Sequence, residues 1–356
     1  MSKLILCYTP SKDIKRDTNN KPEERQRLIV NFFEKNDLCS LFENKFNDKT
    51  LDIIKKLDVH DNNYLFFLKD SYDGFKSDNF DEDFTYQEDQ LIGLIPNVFI
   101  SSIDEKIKEK IPLWKHVGLY CTDFTTPIYE HTFNDILASA NDVIKGVELL
   151  LKGANYVYSV TSNPGHHAGR NFYGGYCFLN NVAIGAKLLL EKFNRIAILD
   201  LDYHAGDGTA DIISKINLVD KVVLFCSIHM NPSYDYPHYR GFDDNNGKNG
   251  IYNFLFQPKD NWTGYKKCLD KATKLISDSK AEVVLVSFGS DTYCKDPEVN
   301  EKAGCKLELD DYNKIGKEIK KCLLHNNSKF LMVQEGGYYL DDIGLILQNL
   351  INGILC

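Results

Sequence analysis

The sequence predicts an α/β fold: a central parallel sheet with helices on both faces and the functional loops beyond the carboxyl ends of the strands. Three observations predict it. Short apolar runs rich in β-formers recur along the chain, amphipathic helical patterns lie between them, and polar, glycine-rich motifs follow several runs directly. Strand–helix alternation gives a parallel sheet buried on both sides, and such sheets carry their sites at strand C-terminal ends.

In chain order, LILCY (Leu4 to Tyr8) reads as the first strand, followed by a helix from Glu23 to Glu34. VGLYC (117–121), YVYSV (156–160), RIAILDLD (195–202), VVLFCSIH (222–229), AEVVLVSFG (281–289) and KFLMVQ (329–334) each read as buried strands. Helical patterns cover Ala138 to Leu151, Val182 to Lys192, Tyr265 to Ser277 and Asp310 to Leu324. No internal repeat and no Pro/Ser-rich linker interrupts the chain, so residues 1–356 are expected to form one domain. The stretch 61–90 holds nine acids against two lysines and reads as an acidic surface excursion. A sharper reading makes it a lid or rim that attracts a cation.

Composition narrows the function. With 42 basic and 51 acidic residues the net charge is −9, which argues against nucleic acid or an anionic membrane as the partner. No apolar run approaches the roughly 18 residues of a membrane span, and the N-terminal apolar run is too short for a signal peptide. Ten cysteines scattered without a CxxC pair suit reduced thiols in the cytoplasm.

Four strand ends carry the chemistry. NPGHHAG supplies His166 and His167, LDLDYHAGDGT supplies Asp200, Asp202, His204 and Asp207, SFGSDTY supplies Asp291, and QEGGYYL supplies Tyr338. Asp202 and His204, two apart on an extended segment, point to one side and can reach one ion, with Asp291 as a third ligand. Three protein ligands and an open position are the arrangement of a catalytic zinc site. Fe(II) and Co(II) share such ligands. A metal of this kind lowers the pKa of water to about 7, but a base must still take the proton and an acid must protonate the leaving group. A histidine suits both tasks, and Asp200 and Asp207 are candidate partners for the far imidazole nitrogens. Tyr338, after two glycines, can supply a donor to an oxyanion.

These blocks, with YGGYCFLNN, resemble the signatures of the zinc-dependent histone deacetylase superfamily from about Lys3 to the C-terminus. Within it, YCTDFTTPIYEHTFNDILAS and SIHMNPSYDYPHYRGFDDNNG look closest to the acetylpolyamine amidohydrolases. The resemblance implies an arginase/deacetylase-like fold, with Asp202, His204 and Asp291 as zinc ligands and His167 as general base and acid. It makes His166 the electrostatic partner and Tyr338 the group that polarises the scissile carbonyl. Asp200 would pair with His166 and, with Ser227, help hold potassium, and Asp207 would pair with His167. Gly175, through its carbonyl, and Tyr176 would line the substrate tunnel. Two positions depart from the pattern: Ala205 stands where the family usually has a second histidine, and Asp207 is often Asn in the polyamine and class II branches.

An arginase-like ureohydrolase fits less well, because Gly206 and Gly289 stand where a second metal would need carboxylates. A non-catalytic metal- or acyl-binding protein would not need the full set of catalytic side chains. The expected reaction is removal of an acetyl group from an amine, with acetylated polyamines preferred to acetyl-lysine in proteins. A polyamine tail is cationic, so acidic groups at the mouth would discriminate. Glu298 is the first candidate; Glu130 and the acidic stretch are weaker ones. His60, His116, His131 and His325 receive no role. His229 reads as core, His238 as equally surface or mouth, and Cys177 as a buried apolar residue.

Overall fold

The computed structural model describes residues 4–10, 21–88, 90–216, 222–244 and 246–356. The strands are β1 (Ile5–Tyr8), β2 (Ser40–Glu43), β3 (Thr85–Glu88), β4 (Leu91–Leu94), β5 (Tyr156–Ser159), β6 (Arg195–Asp200), β7 (Val222–Met230), β8 (Ile251–Phe256), β9 (Val283–Phe288) and β10 (Lys329–Gln334). The helices are α1 (Lys21–Lys35), α2 (Thr50–Leu57), α3 (Asn62–Ser77), α4 (Glu105–Lys108), α5 (Val117–Tyr120), α6 (Thr132–Leu151), α7 (Asn181–Leu189), α8 (Asp207–Lys215), α9 (Trp262–Ser279), α10 (Leu309–Asn326) and α11 (Ile343–Leu355). Eight strands form one sheet in the order β2-β1-β5-β10-β9-β6-β7-β8, and all its pairs are parallel. Parallel pairing puts every strand's carboxyl end on one edge, and the motif loops emerge there.

Period-two alternation explains the three layers. Ala197 and Leu199 of β6 pack with α1, α9, α10 and α11 on one face. Ile196 and Ile198 pack with α6, α7 and α8 on the other. The central strand β9 is buried at every position. Each such Leu, Ile or Val contributes about 1.5–3 kcal/mol from burial, so the strand ends rise from a stiff platform.

Two expectations are corrected. The acidic stretch 61–90 is not merely a solvated excursion. Asp61 caps α3 by accepting from Asn63 N at 2.8 Å. The helix then buries Tyr64, Leu65, Phe67, Leu68, Tyr72 and Phe75 in a cluster shared with α2, α5 and α6. Its acids lie on the other, wetter face, so the charge count concealed an amphipathic helix. VGLYC, expected as a strand, forms the helical turn α5. A Cβ at Gly118 would lie 2.0 Å from Val98 O, so this segment packs against residues 98–100 and not in the sheet. A short buried apolar run has no periodicity to separate the two states. The reading of the N-terminus against a signal peptide rests partly on residues 1–3 and 11–20, outside the described set. Among the described residues, no helix is long and apolar enough to cross a membrane.

Candidate active site

The loop after β5 carries the paired histidines, and three elements fix its backbone. Glu335, at the end of β10, is fully buried, and its Oε2 accepts from Gly165 N at 2.6 Å and His166 N at 3.1 Å. Its Oε1 accepts from Ser287 Oγ at 3.1 Å. On the other flank Asn180 caps α7 and donates its side-chain amide to Ala168 O at 2.9 Å. His60, given no role by the sequence, donates Nδ1–H to Gly169 O and accepts Asn180 N–H at Nε2, both at 2.9 Å.

Each histidine has its carboxylate. His166 Nδ1 lies 3.1 Å from Asp200 Oδ2, and His167 Nδ1 lies 2.8 Å from Asp207 Oδ1. Their environments push them apart. Burial opposes charge on His166, but Asp202, Asp200 and Glu335 outweigh it and hold the ring well above its usual value. Burial and the neighbouring His166 push His167 down to about 4, against the pull of Asp207. His167 is therefore neutral near pH 7, with Nδ1 engaged and Nε2 left for the cavity.

Asp202, His204 and Asp291 place their ligand atoms within 4.8 Å of one another. His204 Nδ1 lies 3.3 Å from Asp202 Oδ1 and 3.5 Å from Asp291 Oδ2. The rest of each carboxylate is fixed: Asp202 Oδ2 accepts from Gly336 N at 2.9 Å, and Asp291 Oδ1 accepts from Tyr203 N at 2.9 Å. Asp291 Oδ2 is buried without a hydrogen-bond partner. Burial and the Asp202 charge push Asp291 up, whereas His166 and His204 overcome burial and hold Asp202 down. Two buried carboxylates this close, one oxygen unpaired, fit a divalent cation, since a buried charge needs a partner. Gly336 keeps the space open: a Cβ there would lie 2.6 Å from Asp291 Oδ2.

A cavity of about 150 Å³ joins these groups, lined by His166, His167, Gly175, Tyr176, Asp202, His204, Asp291, Glu298 and Tyr338 among others. It shares Tyr176, Glu298 and Tyr338 with an outer groove of about 370 Å³. Gly175 (φ 54°) and Tyr176 (φ 65°) take left-handed conformations, and a Cβ at Gly175 would lie 2.3 Å from His167 Cδ2. Only glycine lets the wall approach the ring so closely. Tyr338 meets Tyr176 edge-on, with ring centroids 6.0 Å apart, and burial pushes its hydroxyl well above its usual value, so it stays a donor.

The structure brings nearly every sequence-predicted site residue to this edge, and adds some. Asp123 Oδ2 accepts from Gly175 N at 2.7 Å and Tyr236 Oη at 3.3 Å. Asp296 Oδ2 accepts from Tyr338 N at 2.6 Å, while its Oδ1 accepts from Glu298 N at 3.1 Å. Neither they nor Glu335 had a signal beyond lying inside or beside the quoted motifs. Ser227 of β7 lies in register beside Asp200 of β6; His229 Nε2 is 2.8 Å from Gly241 O and its Nδ1 is 2.7 Å from Ser227 Oγ. The carbonyl needs a donor, so Nε2 carries the proton and the Ser227 hydroxyl donates to Nδ1. Its oxygen lone pairs therefore point away from the His229 ring. Exposed Glu298 stands at the mouth, and Tyr86 and Glu88 of β3 line the groove. Glu130 does not line either space; it pairs with Lys76 at 2.8 Å.

An α/β sheet with two carboxylates, an imidazole and a His–Asp pair at its carboxyl edge has the donor set that metal-dependent hydrolysis requires. The histone deacetylase domain matches residues 20–354, and the chain belongs to that family, and with it to the hydrolytic deacetylases. It is 37% identical over 244 residues to acetylpolyamine amidohydrolase 2 of Pseudomonas aeruginosa, covering 67% of each chain. It is 33% identical over 303 residues to the acetylpolyamine amidohydrolase of Mycoplana ramosa, covering 84% of this chain and 82% of that one. Its fold superposes on an acetylpolyamine aminohydrolase of Burkholderia pseudomallei with a TM-score of 0.81 at 24% identity, over 99% of this chain and 98% of that one.

Proposed function

We propose that the protein is a cytoplasmic zinc-dependent deacetylase that hydrolyses the acetyl amide of acetylated polyamines to acetate and free amine. The observation that carries this reading is the acyl-sized cavity joining the Asp202–His204–Asp291 cluster, the His167–Asp207 pair and Tyr338, opening into a groove with Glu298 and Glu88. The names of the relatives point to the same substrate class. All ten cysteines are free thiols, in keeping with a reducing compartment.

Asp202, His204 and Asp291 would hold zinc, with Fe(II) or Co(II) able to use the same ligands. When bound, the metal supplies Lewis acidity toward water and the acetyl carbonyl. His167, neutral and oriented by Asp207, takes a proton from the attacking water at Nε2. Charged His166, held by Asp200, disfavours a lasting second charge on His167 and so favours its release. The Tyr338 hydroxyl donates to the acetyl oxygen as negative charge builds there. As the C–N bond breaks, His167 returns its proton to the amine nitrogen, so water and amide yield acetate and amine. Gly175 and Tyr176 line the acyl passage. Ser227 and Asp200 would hold potassium, and Glu298 would face the cationic tail.

Tyr338→Phe tests the assignment. Loss of one preorganised oxyanion donor costs about 10²–10³ in kcat, while zinc content should stay at the wild-type level. Wild-type turnover in this variant would remove Tyr338 from the reaction.

A further inference from the structure

Arg240, in the loop between β7 and β8, has no part in the mechanism above, yet it reaches His167 at one remove. Its Nη1 lies 3.2 Å from Asp207 Oδ2, while the other oxygen of that carboxylate takes His167 Nδ1 at 2.8 Å. The guanidinium also lies over Phe172, 4.3 Å from the ring centroid. Arg240 and Asp207 meet in a second cleft, of about 340 Å³, that shares no lining residue with the acyl cavity.

The surrounding chain directs Arg240 to this partner. Gly241 (φ 91°) has its carbonyl on His229 Nε2, and a Cβ at Gly241 would lie 2.5 Å from Ala205 Cβ. Small residues at 205 and 241 thus let the loop close onto the β6–α8 junction and bring Arg240 to Asp207. The cleft's other carboxylate, Asp211, is occupied: it accepts Arg170 N at 3.0 Å and pairs with Lys215 at 2.7 Å. The torsion that turns a carboxylate is soft and roughly two-fold, so one hydrogen bond to His167 does not by itself fix the group. A second contact, from a planar donor that is itself stacked on an aromatic ring, does.

We propose that Arg240 is a positioning residue for proton transfer: it clamps the second oxygen of Asp207 so that the first is presented to His167 Nδ1. The inference rests on reading His167 as the base and acid of the reaction. Arg240 is half exposed, so the ion pair itself contributes little. Its effect lies in geometry, where small misplacements of a catalytic group are costly in rate.

The test is a double-mutant cycle on the zinc-loaded full chain with N-acetylputrescine, reading kcat and KM separately and checking each variant's melting temperature. Arg240→Ala should lower kcat about tenfold and leave KM within about twofold, since a general acid–base group contributes about 10²–10⁴ and only its orientation is lost. Arg240→Lys should recover part of that. In an Asp207→Asn background, removing Arg240 should cost nothing further, because an amide that keeps its oxygen on His167 Nδ1 turns its NH2 to Arg240 and leaves the guanidinium no acceptor to clamp. Equal losses in both backgrounds would overturn the proposal and leave Arg240 as packing over Phe172. Wild-type kcat in Arg240→Ala beside a slow Asp207→Asn would also overturn it, with the His167 reading intact. Wild-type kcat in Asp207→Asn would overturn the proposal through the Asp207–His167 pairing on which it depends.

Discussion

His60 offers a test of how the histidine loop is held, well away from the carboxylate cluster. The ring is buried, with Nδ1–H on Gly169 O and Nε2 under Asn180 N–H, so a second proton would break the Asn180 bond. Burial pushes its pKa down from 6.5 to about 4. Between those values the unfolded chain binds the proton and the folded one does not, so stability falls as pH drops. From about pH 7.5 to about pH 5 the linkage removes about 2 kcal/mol, from a ceiling of about 3 kcal/mol below pH 4. His60→Gln keeps a donor and an acceptor but cannot titrate. Urea midpoints for both proteins at the two pH values isolate the term, because metal-linked and other histidine contributions cancel in the difference of differences. The variant should be less stable near neutrality by about 1 kcal/mol for its imperfect hydrogen bonds, and should lose about 2 kcal/mol less on acidification. Parallel losses in the two proteins would refute the assignment of His60 as a buried neutral staple.

Three further outcomes follow from the same geometry. Gly336→Ala puts a methyl 2.6 Å from Asp291 Oδ2 and 2.8 Å from Asp202 Oδ2; zinc affinity, measured by competition with a chelator, should fall about 10–100-fold. Glu335→Ala leaves two buried N–H groups without an acceptor, about 1–3 kcal/mol each, whereas Glu335→Gln retains a carbonyl and should cost about 1 kcal/mol in urea unfolding. Ser227→Ala should abolish any rise in turnover with added potassium chloride, measured against the same range of choline chloride.

The sheet was legible because its central strands are buried on both faces: RIAILD, VVLVSF and KFLMVQ leave no polar face to misplace their ends. The edge strands β2 and β8 were not, since SLFE and IYNFLF are half-buried and lack a continuous apolar run. The acidic stretch misled through its charge count, which recorded the wet face of α3 and not the aromatic face beneath it. At the site, residues with distinctive chemistry in fixed order were readable, and Asp202, His204 and Asp291 do converge. Glu335, Asp123 and Asp296 were not, because each works through backbone N–H groups that have no sequence signature. Glu130, proposed for the mouth, is instead paired with Lys76, a contact no spacing rule foretells.

The cavity is proposed to deacetylate an acetylated amine with a cationic tail. The most direct measurement is kcat/KM of the zinc-loaded protein for an acetylated polyamine beside an acetyl-lysine peptide, in wild type and Glu298→Leu. A strong preference for the polyamine is expected, and Glu298→Leu should reduce it by raising KM for that substrate alone. A preference for the peptide, unaltered by Glu298→Leu, would contradict it.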